Sequence, residues 1–426
     1  MHETADKIEK ALAISIKPKG CNRELALEHL DELEFLAETA GAEIIEKIYQ
    51  ELAEPNPSTV VGKGKLEEIA QIVKDNDINL VVFDDDLTPA QTRNLSTKLE
   101  IKVIDRSGLI LDIFARRAQT LEAKTQVELA QLQYMLPRLT RMWTHLSKQY
   151  GGIGTKGPGE TQIETDRRMI RTRIQRLKEK LAQIDMQRIQ QRKGRLGIPR
   201  FALVGYTNAG KSTLMNAITD SSVYVENKLF ATLDTTVRGF TLPSGAKALL
   251  SDTVGFIRKL PTHLVASFRS TLSEAAEADV IVHVVDISYE FFRENIAAVN
   301  ETLESLNIKE KPLIIAFNKI DRLEHLYGLR AIEEEFPKSV FISAERGINL
   351  SALLERMQFE YEKQSNQKQL LLPYSKMDIL SKIYDTLETL EREDTDDGIL
   401  LKVKVPADKV SFYDSFFRVF EAPNQE

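Results

Sequence analysis

The sequence is poor in the residues that build disulfides and metal clusters. Its 426 residues include one cysteine, Cys21, and six scattered histidines. One cysteine cannot close an intramolecular disulfide, and neither residue type occurs in the spaced groups that bind zinc. We therefore expect any bound metal ion to be held by oxygen ligands.

Long hydrophobic runs and targeting signals are also missing. The longest apolar stretches, such as VIVHVV at 280–285, are far shorter than the roughly 18 to 20 residues of a membrane span. The N-terminal MHETADKIEK lacks the basic and apolar regions of a secretory signal. These absences predict a cytoplasmic protein with no membrane span.

The overall composition is that of a soluble globular protein. Aromatic residues make up only 7%, apolar residues 42% and charged residues 28%, which excludes collagen-like, wholly disordered and membrane-embedded classes. The chain is longer than one hydrophobic core usually organises, so we expect about two to four domains. The net charge of −7, taken alone, argues mildly against a nucleic-acid partner.

The N-terminal part, residues 1–119, has the pattern of a small α/β domain. Short apolar runs (LAISI, AEIIEKIY, LVVFD and IKVID) alternate with amphipathic stretches at 22–39 and 65–76. This alternation is typical of a mainly parallel sheet with connecting helices.

Residues 120–197 predict a long antiparallel helical arm. Apolar residues recur at intervals of three and four over 120–150 and again over 161–193, and the glycine-rich GGIGTKGPGE lies between them. We expect the first helix to bend at Pro137. The second helix would be about 50 Å long at about 1.5 Å per residue, and arms of this length usually reach a partner.

Positive charge is concentrated on this arm. Residues 138–200 contain sixteen Lys or Arg and five acidic residues, a local net charge of +11, so the rest of the chain carries −18. Such segregation is the electrostatic footprint of a protein that binds a polyanion. A solvated helix face is the alternative for an ordinary charge run, but the glycine loop and the charge density favour RNA here.

A second α/β pattern covers residues 198–364, with expected strands at FALVG, KALLSD, VIVHVVD, PLIIAFN and SVFISA. Residues 364–368 are interpreted as a polar linker. The remaining residues, 365–426, predict a small α+β unit with an acidic helix at 376–393 and a strand at GILLKVKVP. No chemistry can be assigned to this unit.

The segment GYTNAGKS fits the phosphate-binding pattern G-x-x-x-x-G-K-[ST] between a strand and a helix. Glycines let backbone N–H groups surround phosphates, the lysine adds a cation near the β and γ groups, and the serine hydroxyl can bind Mg²⁺. The predicted loop residues are Gly205, Tyr206, Thr207, Asn208, Ala209, Gly210, Lys211 and Ser212.

Three further nucleotide motifs follow in order, each at the end of an expected strand, where open α/β sheets bind ligands. In DTVG, Asp252 can hold Mg²⁺ through water and the Gly255 N–H can meet the γ-phosphate. In NKID, the Asp321 carboxylate can accept two hydrogen bonds from guanine, a donor pair that adenine lacks. SAE suits backbone recognition of the guanine oxygen. Together these motifs contribute Asp252, Thr253, Val254, Gly255, Asn318, Lys319, Ile320, Asp321, Ser343, Ala344 and Glu345.

The segment LFATLDTTVRGF lies between the first two motifs and should supply the threonine that completes the Mg²⁺ shell. We choose Thr232 and keep Thr236 as the alternative, with Thr235 as a third candidate. The predicted metal ligands are therefore Ser212 and Thr232, and the catalytic residues are Lys211, Thr232 and Gly255. Phe230, Ala231, Thr232, Leu233 and Asp234 are expected beside the nucleotide.

The residue that follows DTVG departs from the usual GTPase pattern, and this affects hydrolysis. Many GTPases have a glutamine after D-x-x-G that orients the attacking water, but this chain has Phe256, which cannot bond to water. Intrinsic hydrolysis should therefore be slow and depend on a partner or an ion. Asn208 could help to bind K⁺ where an arginine finger would act, or it could simply tighten the turn.

The motifs LFATLD, DTVGFIRKLP and NKID, with VIDRSGLILDIFARRAQT, VELAQL and GGIGTKGPGETQIETDRR upstream, resemble the HflX family of ribosome-associated GTPases. The resemblance covers residues 60–346. It implies a GTPase that binds the large (50S) ribosomal subunit and splits stalled 70S ribosomes, with its arm in ribosomal RNA near the peptidyl-transferase centre.

The resemblance also implies ATP hydrolysis, which Asp321 does not explain. The segment VGKGK, with Lys63 and Lys65 before a helix, could bind that phosphate or could form a plain helix-entry turn. We expect a monomer. Two other functions stay open, a GTP-dependent assembly factor or RNA chaperone acting on precursor 50S particles and a regulatory GTP switch that binds a protein.

Overall fold

The computed structural model confirms the predicted fold class, an α/β multidomain protein built on a mainly parallel GTPase-type sheet. No helix among the residues described below is long and apolar enough to cross a membrane. The structure describes residues 9–20, 22–139, 158–192, 198–219, 229–230, 235–259, 274–306, 308, 311–323, 325, 328–364, 366–395 and 398–405.

The N-terminal domain is a four-stranded, all-parallel sheet in the order β2-β1-β3-β4. The central β1 is buried on both faces from Ala11 to Ile16, as expected of a parallel strand covered by helices. Its elements are β1 (Glu9–Pro18), α1 (Arg23–Ala40), β2 (Ala42–Leu52), α2 (Lys63–Asp75), β3 (Leu80–Phe83), α3 (Pro89–Leu99), β4 (Lys102–Asp105) and α4 (Arg106–Arg117).

The arm contains α5 (Leu121–Met135) and α6 (Pro158–Arg192), which pack against each other. The sequence predicted one helix over 120–150 with a bend at Pro137, but its regular part is interrupted just before that proline, and residues 140–150 of the prediction lie outside the described residues. The helix ends at Met135, because a proline can neither donate the next helical hydrogen bond nor fit against the preceding turn. The predicted helix at 161–193 is confirmed, although it begins at Pro158. Residues 140–157, with most of the glycine loop, lie outside the described residues.

The GTPase-type domain has a six-stranded sheet in the order β10-β9-β8-β5-β7-β6. All neighbouring pairs are parallel except β6 with β7. The edge strand β6 was not predicted, because its short sequence TVRGFT, which includes a glycine and a charged residue, resembles a loop. The elements are β5 (Arg200–Gly205), α7 (Lys211–Thr219), β6 (Thr236–Thr241), β7 (Lys247–Asp252), β8 (Val280–Asp286), α8 (Phe292–Ser305), β9 (Leu313–Asn318), α9 (Leu329–Glu335), β10 (Ser339–Phe341) and α10 (Leu350–Gln364).

The C-terminal unit corrects two predictions. Most of the expected linker at 364–368 is in a strand. Most of the expected helix at 376–393 is not α-helical, because its last third pairs with the apolar strand β13. This pairing overrides the local helix preference of Leu, Glu and Arg. The antiparallel sheet has the order β11-β13-β12. The elements of this unit are β11 (Asn366–Leu372), α11 (Leu380–Thr386), β12 (Glu388–Thr395) and β13 (Gly398–Val405).

The three predicted boundaries between the four domains stay predictions. The N-terminal domain, the arm and the GTPase-type domain share one hydrophobic cluster, in which residues of α1, α4 and the arm helix α5 pack with Leu229, Phe230, Val254 and Ile257. The Phe114 and Phe230 rings meet edge to face with their centroids 4.5 Å apart. The N-terminal domain therefore contacts the segments on both sides of the predicted nucleotide site.

Candidate nucleotide site

Parallel pairing brings the predicted motifs to one edge of the six-stranded sheet. Leu203 of β5 pairs with Asp252 at the end of β7, and Asp286 of β8 pairs with Asn318 at the end of β9. The carboxyl ends of neighbouring parallel strands lie side by side, so the phosphate loop, DTVG and NKID meet there.

The phosphate loop requires glycine at two positions. A Cβ atom on Gly205 would lie 2.2 Å from the Val284 carbonyl oxygen. A Cβ atom on Gly210 would lie 2.3 Å from the Asn318 Nδ2, and Gly210 has a φ of 95°. No side chain fits at either point, which explains the glycine spacing of the motif. Asn208 also has a left-handed φ, 62°, which asparagine tolerates better than most residues.

Lys211 is buried inside this loop. Its ammonium donates hydrogen bonds to the carbonyl oxygens of Gly205 (3.1 Å) and Tyr206 (2.9 Å). Burial lowers the pKa of the Lys211 ammonium to about 8, and the Asp252 carboxylate partly opposes this shift. A phosphate group beside the amine would favour its charged form, so the loop is built to accept an anion.

Ser212 and Asp252 form an oxygen-rich pair next to the lysine. The Ser212 hydroxyl donates to Asp252 Oδ2 over 2.6 Å, and Asp252 is 1% exposed. Hydroxyl and carboxylate oxygens are the ligands that Mg²⁺ prefers, so the residues fit this ion. Within the described ranges, no group of three His, Cys, Asp or Glu residues could hold a metal ion.

Backbone hydrogen bonds hold the DTVG segment against the phosphate loop. The Thr207 N–H donates to the Phe256 oxygen over 2.8 Å, and the Phe256 N–H donates to the Gly205 oxygen over 3.0 Å. A Cβ atom on Gly255 would lie 2.8 Å from Thr207 Cγ2 and 3.1 Å from Lys211 Nζ. Gly255 is thus the residue of this segment that can approach a bound phosphate without a side chain in the way.

The side chain of Phe256 packs into the GTPase-type domain. It is 3% exposed and belongs to a cluster with Ala202, Val204 and Ile281. Phe256 therefore lacks a group for orienting water and also has a ring fixed in the hydrophobic core. The two middle residues of DTVG are also buried. The Thr253 hydroxyl donates to the Leu203 oxygen, and Val254 lies in the shared interdomain cluster.

This packing leads to a first prediction. We expect Phe256→Gln to destabilise the protein by about 3–5 kcal/mol, because an amide replaces a buried ring, and to leave intrinsic GTP hydrolysis no faster than in the wild type. Urea unfolding and single-turnover hydrolysis measure the two effects. A stable variant with a hydrolysis rate about ten times higher, equivalent to about 1.4 kcal/mol of barrier, would contradict the prediction.

Asn318 connects the phosphate loop to the guanine motifs. Its Nδ2 donates to the Ala209 oxygen over 2.9 Å, and its Oδ1 accepts from the Ala344 N–H over 2.9 Å. The side chain is 3% exposed. One amide therefore orients three loops that are far apart in sequence.

In the NKID segment, Lys319 contacts the phosphate loop and Asp321 supplies a hydrogen-bond acceptor. Lys319 Nζ donates to the Asn208 oxygen over 2.9 Å and pairs with Asp286 at 2.5 Å. The Asp321 side chain is 9% exposed and lies 3.5 Å from Arg346. A hydrogen bond from Ser343 lowers the pKa of the Asp321 carboxyl, so Asp321 is an ionised acceptor at neutral pH.

The remaining predicted residues are distributed as follows. Ile320 lies in the short 3-10 helix that also contains Asp321. The Glu345 side chain is 71% exposed and lies 3.8 Å from Arg322, so only its backbone is suited to nucleotide recognition. Phe230 is buried against Phe114 in the interdomain cluster. Ala231, Thr232, Leu233 and Asp234 lie outside the described residues.

The two alternative threonines lie at the edge of the sheet. Thr236 begins β6 and is the strand partner of Asp252, and Thr235 directly precedes it. The choice of Thr232 over these two as the Mg²⁺ ligand stays a prediction.

Sequence reasoning missed the wall that the N-terminal domain adds to the site. Glu28, Asp31 and Glu32 of α1 and the loop residues Thr207 and Asn208 line one cavity of about 220 Å³. The Tyr206 hydroxyl donates to Glu32 over 2.5 Å. Periodicity identified α1 as a helix but could not show which domain its acidic face contacts.

Three family models match consecutive parts of the chain. One described as GTP-binding GTPase N-terminal matches residues 27–115, and one described as GTP-binding GTPase Middle Region matches residues 117–195. A third, described as 50S ribosome-binding GTPase, matches residues 200–319.

Similar proteins are named GTPase HflX. The one from Flavobacterium psychrophilum is 56% identical over 318 residues, covering 75% of this chain and 77% of that protein. The one from Escherichia coli is 44% identical over 385 residues, covering 89% and 90%. Among solved structures, the complex of SsGBP with GDP is 26% identical, with a TM-score of 0.48, and the match covers 83% of this chain and 98% of SsGBP.

Proposed function

Because the chain belongs to the HflX family of GTPases, we propose that it binds the 50S subunit within the 70S ribosome and uses GTP to split or rescue stalled ribosomes. The chain hydrolyses GTP as an HflX GTPase. The observation that carries the ribosomal proposal is the basic arm, which adjoins a domain of the 50S ribosome-binding GTPase type.

The surface of α6 suits a contact with RNA phosphates. Arg168, Arg171, Arg176 and Lys178 are exposed on this helix, whereas Leu177 is buried. Exposed cations placed along a rod release condensed counterions when they meet phosphates. The charged helix is about 52 Å long at about 1.5 Å per residue. A row of cations of this length matches the row of phosphates along RNA, which favours RNA over an acidic protein.

In the proposed reaction, Lys211 and the Gly255 N–H stabilise the γ-phosphate while Asp321 and Asn318 orient the nucleotide. Mg²⁺, held by Ser212 and Thr232, would neutralise charge that develops on the phosphates. With Phe256 buried, no side chain at that position orients the water. We therefore propose that the ribosome accelerates a slow intrinsic reaction and that hydrolysis then releases the protein.

The central experiment combines sedimentation with a hydrolysis assay. Stalled 70S ribosomes are mixed with the protein and GTP, a non-hydrolysable analogue or GDP, and GTPase activity is measured with and without 50S subunits. We expect more free subunits with both triphosphates and strong stimulation by 50S. No increase in free subunits would contradict splitting, and binding only to immature particles would favour the assembly-factor function.

We also propose that K⁺ assists hydrolysis through Asn208. Asn208 is exposed in the phosphate loop, and Lys319 Nζ contacts its backbone oxygen instead of its side-chain amide. We expect hydrolysis to be about tenfold faster in K⁺ than in Na⁺, because an added cation offsets about 1.4 kcal/mol of transition-state charge. We expect Asn208→Ala to remove the difference. Equal rates in the two salts would contradict this role.

A secondary ATPase activity would need a different site, and VGKGK is the candidate. Gly62 is the N-cap of α2 without a side-chain cap, and Lys65 pairs with Glu68 at 2.7 Å. If this turn binds ATP, Lys63→Ala with Lys65→Ala should abolish ATP hydrolysis and leave GTP hydrolysis intact. Full ATPase activity in that variant would exclude the turn.

A further inference from the structure

The turn at the start of α4, residues 105–108 (Asp-Arg-Ser-Gly), contacts both the nucleotide site and the base of the arm. Its sequence is part of VIDRSGLILDIFARRAQT, a motif that contributes no residue to the predicted nucleotide site. Arg106 and Asp105 are each 1% exposed. Consecutive residues in a strand-to-helix turn point in different directions, and here each binds a different part of the molecule.

Arg106 points toward the nucleotide site. Its guanidinium pairs with Glu32 at 2.8 Å and with Asp84 at 2.9 Å. Asp84 is fully buried and also pairs with Lys17 at 3.1 Å. One buried cation therefore orients two carboxylates of the N-terminal domain.

These carboxylates hold the segment that follows Gly255. Glu32 accepts from Arg258 Nε over 2.5 Å, and Asp84 accepts from Lys259 Nζ over 2.9 Å. Arg258 and Lys259 are the third and fourth residues after Gly255. A shift of Gly255 toward a γ-phosphate must therefore strain or rearrange the contacts made by Arg106.

Asp105 points toward the arm. Its Oδ1 accepts from the Tyr134 hydroxyl over 2.7 Å, and its Oδ2 accepts from Arg138 over 2.8 Å. Arg138 also donates to the Leu87 oxygen and lies 3.5 Å from the centre of the Tyr134 ring. Tyr134 and Arg138 belong to the last turn of α5 and the residues just beyond it, which form the base of the arm.

Two features make this junction stiff. A Cβ atom on Gly108 would lie 2.8 Å from the Tyr134 hydroxyl, so glycine is needed for the tyrosine to approach. In addition, α4 packs against both sides, since the cluster that includes Phe114 contains Ile257 from the nucleotide site and Val127 from α5. Close packing transmits a displacement instead of absorbing it.

We propose that Asp105 and Arg106 are positioning residues that couple the nucleotide site to the arm, so that the bound nucleotide changes the arm's affinity for RNA. The coupling rests on the proposed function, because it needs an arm that binds ribosomal RNA. It is reciprocal, so RNA on the arm changes the affinity for GTP by the same factor. Neither residue lines the cavity beside the phosphate loop.

The first experiment needs no ribosome. Hydrogen exchange of residues 134–139 is compared between the protein with a GTP analogue and with GDP. We expect protection at the arm base to differ between the two nucleotides in the wild type and not in Arg106→Lys, which keeps the charge but cannot pair with both carboxylates in the same way. No difference in the wild type would overturn the coupling, whatever the arm binds.

The second experiment measures 50S affinity with each nucleotide. We expect a ratio of about 5–150 in the wild type, in the range of typical allosteric couplings. We expect the ratio to fall to within about twofold of one in Arg106→Lys and in Tyr134→Phe with Arg138→Gln. A wild-type ratio retained in the Tyr134 and Arg138 variant would overturn the role of Asp105.

Two controls separate coupling from lost charge and from instability. Arg173→Gln removes one positive charge from the arm. The Arg173 guanidinium pairs with Glu128 and not with Asp105, so this variant leaves the proposed junction intact. Arg116→Ala removes an exposed arginine from α4 itself. Both should keep the wild-type ratio. If the wild type shows the exchange difference but binds no 50S, the ribosomal function fails, while the structural link from the nucleotide site to the arm base stands.

Discussion

Asp321→Asn is expected to lower the affinity for GTP by about 10²–10⁴-fold and to create affinity for xanthosine triphosphate. The Asp321 carboxylate is predicted to accept two hydrogen bonds from guanine, and each hydrogen bond to a charged group contributes about 1.5–3 kcal/mol. Asparagine keeps one acceptor but places an amide donor opposite the guanine amine, so one favourable contact becomes a clash of donors.

Xanthine carries an oxygen where guanine carries that amine. The side-chain amide that Asp321→Asn introduces can donate to this oxygen, which restores a complementary pair. We expect this substitution to leave the surrounding structure unchanged, because Ser343 and Arg346 contact the carboxyl group and the side chain is only 9% exposed. The loops around it should keep their places.

Competition binding of GTP, ATP and xanthosine triphosphate tests this expectation. Glu345→Gln is the matched control, because it makes the same acid-to-amide change on a neighbouring side chain that is 71% exposed. We expect the control to leave GTP affinity nearly unchanged. Unaltered GTP affinity in Asp321→Asn would mean that the base lies elsewhere.

Replacing Arg168, Arg171, Arg176 and Lys178 together by glutamine is expected to weaken 50S binding by about 10²–10³-fold at about 0.15 M salt. Each cation near a phosphate contributes about 0.7–0.9 to the slope of log affinity against log salt concentration, so four of them account for about 3. Glutamine retains helix propensity, and these side chains are exposed, so α6 should remain folded.

The slope distinguishes recognition of RNA from recognition of a protein. If phosphates are the partner, the variant should lose both affinity and salt sensitivity on purified ribosomal RNA as well as on 50S subunits. Arg173→Gln alone should change little, because this guanidinium already pairs with Glu128 at 2.7 Å. Loss of 50S binding with unchanged RNA binding would instead favour a protein contact and the regulatory-switch function.

Local sequence was sufficient to predict the strands and the phosphate loop that form the candidate nucleotide site. The phosphate loop depends on glycines at two close approaches, Gly205 and Gly210, and on a lysine one residue later. These requirements are met within eight consecutive residues, so their spacing is visible in the chain. The same holds for the parallel strands, whose continuous apolar runs reflect burial on both faces.

Other features depended on pairing that local pattern cannot show. β12 has the composition of a helix, yet its partner β13 makes it a strand. Phe230 lies in a motif that predicts nucleotide contact, yet its ring is buried against Phe114 of another domain. In both cases the deciding contact comes from a residue in a different element, which the local pattern of apolar residues cannot show.

The sequence by itself determined the nucleotide chemistry and the segregation of charge, in which an overall −7 contains +11 on one arm. Only the tertiary structure decided how the site connects to that arm. Tyr206 and Glu32 are 174 residues apart in the chain, and Arg106 is buried between carboxylates from two further segments. Such contacts arise because burying one charge requires partners from wherever the fold can supply them.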